Sequence, residues 1–155
     1  MRIVVLILFA TFALLPNAAN ACSCIGNNPK SIDSVRKHYD YADIVFLGKV
    51  EDEETVRRSD EDSYRQIQTT TLFVLASWKG EKSNRVLMKI DVTCCMCGYL
   101  FGKGETHLIF GHEGADGFYS TSICSMSMRA PVAEETVKLL DEIAAEEQSP
   151  NNALH

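Results

Sequence analysis

The clearest hydrophobic pattern in the chain is a strict alternation across residues 85–92. The apolar positions of this alternation are Val86, Met88, Ile90 and Val92, and charged residues stand between them at Lys89 and Asp91. Alternation with a period of two predicts a β-strand with one buried face. Runs rich in β-forming residues predict four further strands, at residues 42–50, 68–78, 106–112 and 118–124. The Asp116-Gly117 turn signal predicts that the last two strands form a hairpin.

Helical patterns stand only at the two ends of this strand region. A short helix is predicted after Ser31, with an apolar face made of Ile32, Val35 and Tyr39. A final helix is predicted to begin at Pro131, because proline favours the first helical turn and two acidic residues follow it. The apolar stripe of this final helix consists of Val132, Leu139, Leu140 and Ile143.

The segment 51–65 is charged and poor in apolar residues, which predicts a mobile loop or hairpin tip rather than a binding site. Five successive strands with helices only at the ends favour a mainly β fold. We predict a five-stranded, OB-fold-like Greek-key barrel with a flanking short helix and a C-terminal helix. The predicted domain spans residues 22–147, and the polar residues 148–155 predict a disordered tail.

The N-terminus has the composition of a cleavable signal peptide covering residues 1–21. Arg2 precedes an apolar stretch at residues 3–15, and small residues stand at Ala19 and Ala21. The stretch is shorter than the roughly 20 apolar residues of a membrane anchor. No second apolar stretch follows, so we expect a secreted or periplasmic protein without a transmembrane segment. Lipidation of Cys22 is an alternative, although a lipobox prefers Leu at position 19.

The charge of the chain argues against nucleic acid as the main partner. Loss of Arg2 with the signal peptide changes the formal net charge from −6 to −7, so the mature surface is acidic. The sequence contains no nucleophile elbow, H-E-x-x-H motif, P-loop or dinucleotide fingerprint. We therefore expect neither enzymatic activity nor a cofactor.

The cysteine content predicts disulfides. All six cysteines lie after the predicted cleavage site, at Cys22, Cys24, Cys94, Cys95, Cys97 and Cys124. An even number in a small exported domain indicates a disulfide framework, although six cysteines allow fifteen connectivities. A bridge from the N-terminal pair closes a long loop. In the chain-entropy model, such a bridge stabilises the folded state by about 4 to 5 kcal/mol.

Six short motifs together resemble one known family. In chain order they are Cys22-Ser23-Cys24, Ala42-Asp43-Ile44-Val45-Phe46, Gly48-Lys49-Val50, Trp78-Lys79-Gly80, Cys97-Gly98-Tyr99 and Ser122-Ile123-Cys124-Ser125. This order, directly behind a signal peptide, resembles the netrin-module group. Within that group it is most similar to the tissue inhibitors of metalloproteinases and their short single-domain relatives. The resemblance covers residues 22–125.

The resemblance implies an OB-fold barrel with two N-terminal disulfides, Cys22–Cys97 and Cys24–Cys124. The chain departs from the family in two respects, because it lacks the cysteines of a further family bridge and the C-terminal disulfide-rich subdomain. Cys94 and Cys95 are additional to the family pattern. They could be unpaired, could pair with each other, or could link two chains.

The resemblance also implies a mechanism of inhibition. The α-amino group and carbonyl oxygen of Cys22 would chelate the catalytic zinc of a target metalloproteinase, in place of its water. Ser23 would point toward the protease's specificity pocket and general base. Cys24, Ile25 and Met96 would complete the inhibitory edge. The alternative is a non-inhibitory exported netrin-like binding module, in which the same disulfides are only staples.

A separate hypothesis is metal binding by the chain itself. Soft ligands for copper(I) or zinc are present at Cys94, Cys95, Cys97, His107, His112, Met126 and Met128. Their spacing matches no standard zinc motif, and an oxidising compartment favours disulfides over thiolates. A redox-exchange role for Cys94 and Cys95 is a further alternative.

Overall fold

The computed structural model describes residues 24, 26–60, 63–80, 83–93 and 97–148. The elements are helix α1 (Ile32–Tyr41), strands β1 (Ile44–Asp60), β2 (Ser63–Lys79), β3 (Arg85–Asp91), β4 (Thr106–Glu113), β5 (Tyr119–Ser120) and β6 (Met128–Arg129), a 3₁₀ helix (Ala130–Val132) and helix α2 (Glu134–Gln148). The predicted signal peptide at residues 1–21 and the tail at residues 149–155 lie outside the described residues.

Five of the strands form a closed ring. The order is β1-β2-β3-β5-β4, and β4 pairs back with β1. Neighbouring strands are antiparallel except β3 and β5, which meet in parallel at Met88 and Tyr119. The short β6 pairs with β4 at His107 and Leu108, on the edge opposite β1. The chain is therefore mainly β, and the ring is consistent with the five-stranded barrel-like fold that the sequence predicts.

The alternating segment forms β3, as predicted. Val86, Met88 and Ile90 are buried, and the residues between them are exposed. The hairpin between β4 and β5 also agrees with the prediction. The backbone N–H of Gly114 donates to the carbonyl of Phe118 at 2.8 Å. Gly117 has a φ of +77°, a conformation that glycine adopts without steric cost.

Two predicted elements differ from the structure. Of the two alternatives for the charged segment 51–65, the hairpin is confirmed and the mobile loop is wrong, because β1 and β2 continue as paired strands to Asp60 and Ser63. Cross-strand pairing satisfies the backbone here, and it overrides the low strand propensity of acidic side chains that remain in solvent. The predicted strand at residues 118–124 is shortened to Tyr119–Ser120, because the chain turns at residues 123–126.

The apolar core has two parts, one on each side of β4. The core inside the ring consists of Ile44, Phe46, Val50, Leu72, Val86, Met88, Ile90, Tyr99, Phe101 and Ile109. The core beneath the helices consists of Val35, Tyr39, Ala42, Val45, Leu108, Phe110, Met126, Ala133, Leu140 and Ile143. Because β4 is covered on both faces, its residues 107–111 are buried without alternation.

Helix α2 packs one face against the second core, as predicted for Leu140 and Ile143. Leu139 is partly buried against the same core. The prediction for Val132 is wrong, since its side chain is 71% exposed. Pro131 and Val132 lie in the preceding 3₁₀ helix, whose tighter winding takes Val132 out of the register of the stripe. Among the described residues, no helix has both the length and the apolar character needed to cross a lipid bilayer.

Candidate functional site

A disulfide ties the first described residue to the turn that follows β5. It joins Cys24 to Cys124, which are 100 residues apart in the sequence. This is the pairing that the family resemblance implies. The side-chain amide of Asn27 reinforces it by donating to the carbonyl oxygen of Cys124 at 2.8 Å. The oxygen of the same amide lies 2.9 Å from Nε2 of His38, so the segment is also held to α1.

The segment around Cys97 lies beside this bridge. The backbone N–H of Ile123 donates to the carbonyl of Cys97 at 3.1 Å, and Gly98 forms a β-bridge with Ser122. A Cβ atom at Gly98 would lie 2.2 Å from the carbonyl oxygen of Asp91, so only glycine permits this approach. The segments of Cys24, Cys97 and Cys124 therefore meet at one end of the barrel.

The sulfur of Cys97 is also disulfide-bonded, and its partner lies outside the described residues. The predicted pairing with Cys22 stays a prediction. The predicted roles of four edge residues also stay predictions, because the structure does not describe Cys22, Ser23, Ile25 and Met96. The unassigned Cys94 and Cys95 also lie outside them.

A cluster of buried hydroxyl groups anchors the turn that carries Cys124. The hydroxyl of Thr121 donates to the carbonyl of Phe110 at 2.8 Å. The hydroxyl of Ser127 accepts from the backbone N–H of Phe110 at 2.9 Å and lies 2.7 Å from that of Thr121. The hydroxyl of Ser125 contacts those of Thr121 and Ser127, the latter at 3.1 Å, and it donates to the carbonyl of Ser122 at 2.8 Å. Sequence reasoning missed this cluster, although a run rich in Ser and Thr is a turn signal.

A second buried network starts two residues after Cys97. The hydroxyl of Tyr99 and Nδ1 of His107 share a hydrogen bond of 2.8 Å inside the ring. Nε2 of His107 faces Oε2 of Glu105 at 3.2 Å, and the guanidinium of Arg129 lies 3.2 Å from the other carboxylate oxygen. The network therefore links the Cys97 segment to the barrel interior.

Burial sets the ionisation of this network. It raises the pKa of Tyr99 to about 12, since a phenolate would lose its hydration. Burial also lowers the pKa of the His107 imidazole, although Glu105 opposes the shift. Both groups are consequently neutral at physiological pH. Burial, with smaller contributions from Lys37 and His112, likewise lowers the pKa of His38.

The structure separates the two histidines of the metal hypothesis, whose Cys94 and Cys95 lie outside the described residues. His107 is fully buried among Tyr99 and Phe101, with ring centroids 5.5 and 5.1 Å away. His112 instead contacts the exposed ring of Tyr41 at 4.8 Å. Within the described ranges, no group of three or more His, Cys, Asp and Glu side chains is placed to hold a metal ion. The two histidines therefore do not share a site.

Comparisons with known proteins add no assignment. No protein-family model matches the chain, and no curated protein matches it. The resemblance to the metalloproteinase inhibitors accordingly depends on the motifs quoted above.

Proposed function

We propose that this chain is a secreted metalloproteinase-inhibitor-like protein that acts through its mature N-terminus at Cys22. The observation that carries the proposal is the Cys24–Cys124 disulfide. Cys24 lies two residues after the predicted first residue, and the bridge holds Cys24 against a turn anchored in the core. A disulfide is also compatible with an oxidising, extracellular location.

The proposed chemistry needs only backbone atoms of Cys22. An α-amino group with a pKa near 8 is about a tenth or more neutral at pH 7, so it can donate its electron pair to zinc. The amine nitrogen and the adjacent carbonyl oxygen would together displace the water at the open position of a catalytic zinc. Ser23 would enter the neighbouring specificity pocket, and Ile25 and Met96 would contact its rim.

Pre-organisation is what the described scaffold contributes to this mechanism. A flexible terminus loses conformational entropy on binding, which costs affinity. Here the Asn27 amide and the Cys24–Cys124 bridge restrain the chain directly after the proposed chelating residue. The neighbouring Cys97 segment is restrained by its own backbone bond to Ile123. These restraints on the neighbouring described residues would reduce the conformational entropy that the terminus loses on binding.

The test compares mature protein starting at Cys22 with the same protein carrying one extra alanine before Cys22. We expect the native terminus to inhibit at least one zinc endopeptidase in a broad panel. The extension should weaken inhibition by about 100-fold or more, which corresponds to ~2.7 kcal/mol. Equal thermal midpoints of the two proteins are the control for folding. Equal inhibition by the two forms would refute chelation.

The second candidate is a non-inhibitory exported netrin-like binding module. It is favoured by the hydroxyl cluster around Thr121 and Ser127, which couples the disulfide turn to β4 whether or not a protease binds. Disulfides in small exported domains commonly serve stability alone. If the native mature protein inhibits no zinc endopeptidase in the panel, this second function replaces the first.

A further inference from the structure

The outer half of β1 has an open edge. Strand β4 pairs with β1 only along residues 44–49. The last backbone bonds on that side join Val50 to Glu105 at 2.8 Å and to Gly104 at 3.0 Å. Beyond this point residues 52–60 pair with β2 on one side, and none of the described strands pairs with them on the other. An unpaired edge of this kind is a template for another strand.

The charges along this edge are complementary to those of a second copy in antiparallel orientation. Acidic residues occupy Asp52, Glu53 and Glu54, and a basic residue follows Thr55 at Arg57. In an antiparallel pair of two copies centred on Thr55, Glu53 of each copy lies opposite Arg57 of the other. A two-fold axis repeats the contact, so one interface contains two such pairs. A pairing centred on Glu53 would instead oppose Asp52 and Glu54, which repel each other.

The two charged side chains lie on the same face of the strand. Glu53 and Arg57 are four residues apart, and alternate residues of a strand share a face. The carboxylate of Glu53 accepts a hydrogen bond from the amide of Gln68 at 2.8 Å, which orients it at the edge. The side chain of Arg57 is exposed, and no described acidic group forms an ion pair with it. Asp52 is already engaged by Lys103 at 2.8 Å.

The opposite face of the strand contributes little apolar contact in this register. The side chain of Val56 is 41% exposed and lies beside its cross-strand partner Ile67. In the pairing centred on Thr55, Val56 of each copy lies opposite Glu54 of the other, and the two valines are only diagonal neighbours at about 7 to 8 Å, a separation that short side chains do not bridge. The charges of Glu53 and Arg57, rather than the valines, therefore favour the register centred on Thr55.

We propose that two copies of this chain associate through antiparallel pairing of residues 53–57 of β1, giving a sheet that continues across a two-fold axis. The occupant of the open edge is thus a second copy. The loop carrying Lys103 limits the intermolecular strand pairing at one end, so the interface is short. We therefore expect a weak dimer with a dissociation constant in the micromolar range. This inference is independent of the proposed protease inhibition.

The test measures the mass of the mature protein by sedimentation velocity from about 5 to about 500 µM, a range that brackets a weak dimer. We expect reversible dimerisation of the wild-type chain. Glu53→Arg and Arg57→Glu each place like charges opposite one another twice. Each variant alone should therefore dimerise about tenfold more weakly or worse. An equimolar mixture of the two variants should regain wild-type association, because each then offers the charge that the other lacks.

The matched control is Arg65→Glu, which makes the same charge change in the same hairpin but on β2 rather than on the open edge of β1. It should leave the dimerisation constant within about twofold. Circular dichroism and thermal midpoints check that each variant is folded. A wild-type chain that is monomeric throughout would overturn the proposal, as would single variants that dimerise like wild type. A dimer linked through cysteine would be insensitive to these substitutions. It would therefore also overturn the proposal.

Discussion

The hydrogen bond between Tyr99 and His107 offers a sharp test of how the Cys97 segment is held. The substitution is Tyr99→Phe, which removes only the hydroxyl group. The ring would keep its edge contact with Phe101, whose centroid lies 5.1 Å away. The partner, Nδ1 of His107, would stay in an environment from which solvent is fully excluded. The substitution therefore isolates one buried polar contact.

The expected magnitude follows from the burial of both partners. A buried polar atom that loses its hydrogen-bond partner costs about 1 to 3 kcal/mol, because its desolvation is no longer compensated. The aromatic ring is retained, so the additional cost of a large cavity does not arise. We expect Tyr99→Phe to lower the free energy of unfolding by about 1 to 3 kcal/mol, provided that the disulfides remain oxidised.

The assay is equilibrium unfolding in urea, followed through the fluorescence of Trp78. This is the sole tryptophan, and its indole N–H donates to Asp141 at 2.7 Å. The matched control is Tyr41→Phe, because the Tyr41 side chain is 77% exposed. The control should change the free energy of unfolding by no more than about 0.5 kcal/mol. If Tyr99→Phe behaves like this control at an unchanged m-value, the buried bond does not stabilise the domain.

Three further predictions concern stability. Because burial lowers the pKa of His107, the unfolded chain binds a proton more readily than the folded chain. Stability should therefore be greatest above about pH 6.5 and should fall below it, toward the pKa of the folded state. Replacing Cys24 and Cys124 by alanine opens a loop of 100 residues, which should cost about 4 to 5 kcal/mol in chemical denaturation. Gly98→Ala should lower the free energy of unfolding by about 1 to 3 kcal/mol, because its Cβ would collide with the backbone of Asp91.

Each of these predictions has its own control. In His107→Gln the decline in stability between pH 7.5 and pH 5.5 should be shallower than in the wild type, and an equal decline would contradict the assignment to His107. For the disulfide, a double variant within about 1 kcal/mol of wild type would show that the bridge is not a major staple. For Gly98, the comparison is Gly102→Ala, whose added Cβ would meet the side chain of Glu105 at 2.9 Å and not backbone; a loss of stability as large as that of Gly98→Ala would contradict the argument from the backbone collision.

Most of the fold was predictable because its signals are local and periodic. Alternation identified β3, and the Asp-Gly turn identified the hairpin before β5. The helical stripe identified Leu140 and Ile143 of α2. A hairpin was one of two alternatives for the charged segment, but the length of β1 and β2 within it was missed, because cross-strand pairing rather than side-chain polarity determines that those residues are extended. Val132 was missed because a change from 3₁₀ to α-helical winding shifts the register.

By itself, the sequence determined the class of the fold, its order of elements and the expectation of disulfides, since these depend on patterns within a few residues. Only the tertiary structure decided that His107 lies inside the ring while His112 lies near the surface. It also decided that the Cys97 and Cys124 segments lie side by side. These features depend on contacts between residues far apart in the chain, and closure of the strand ring brings those residues together.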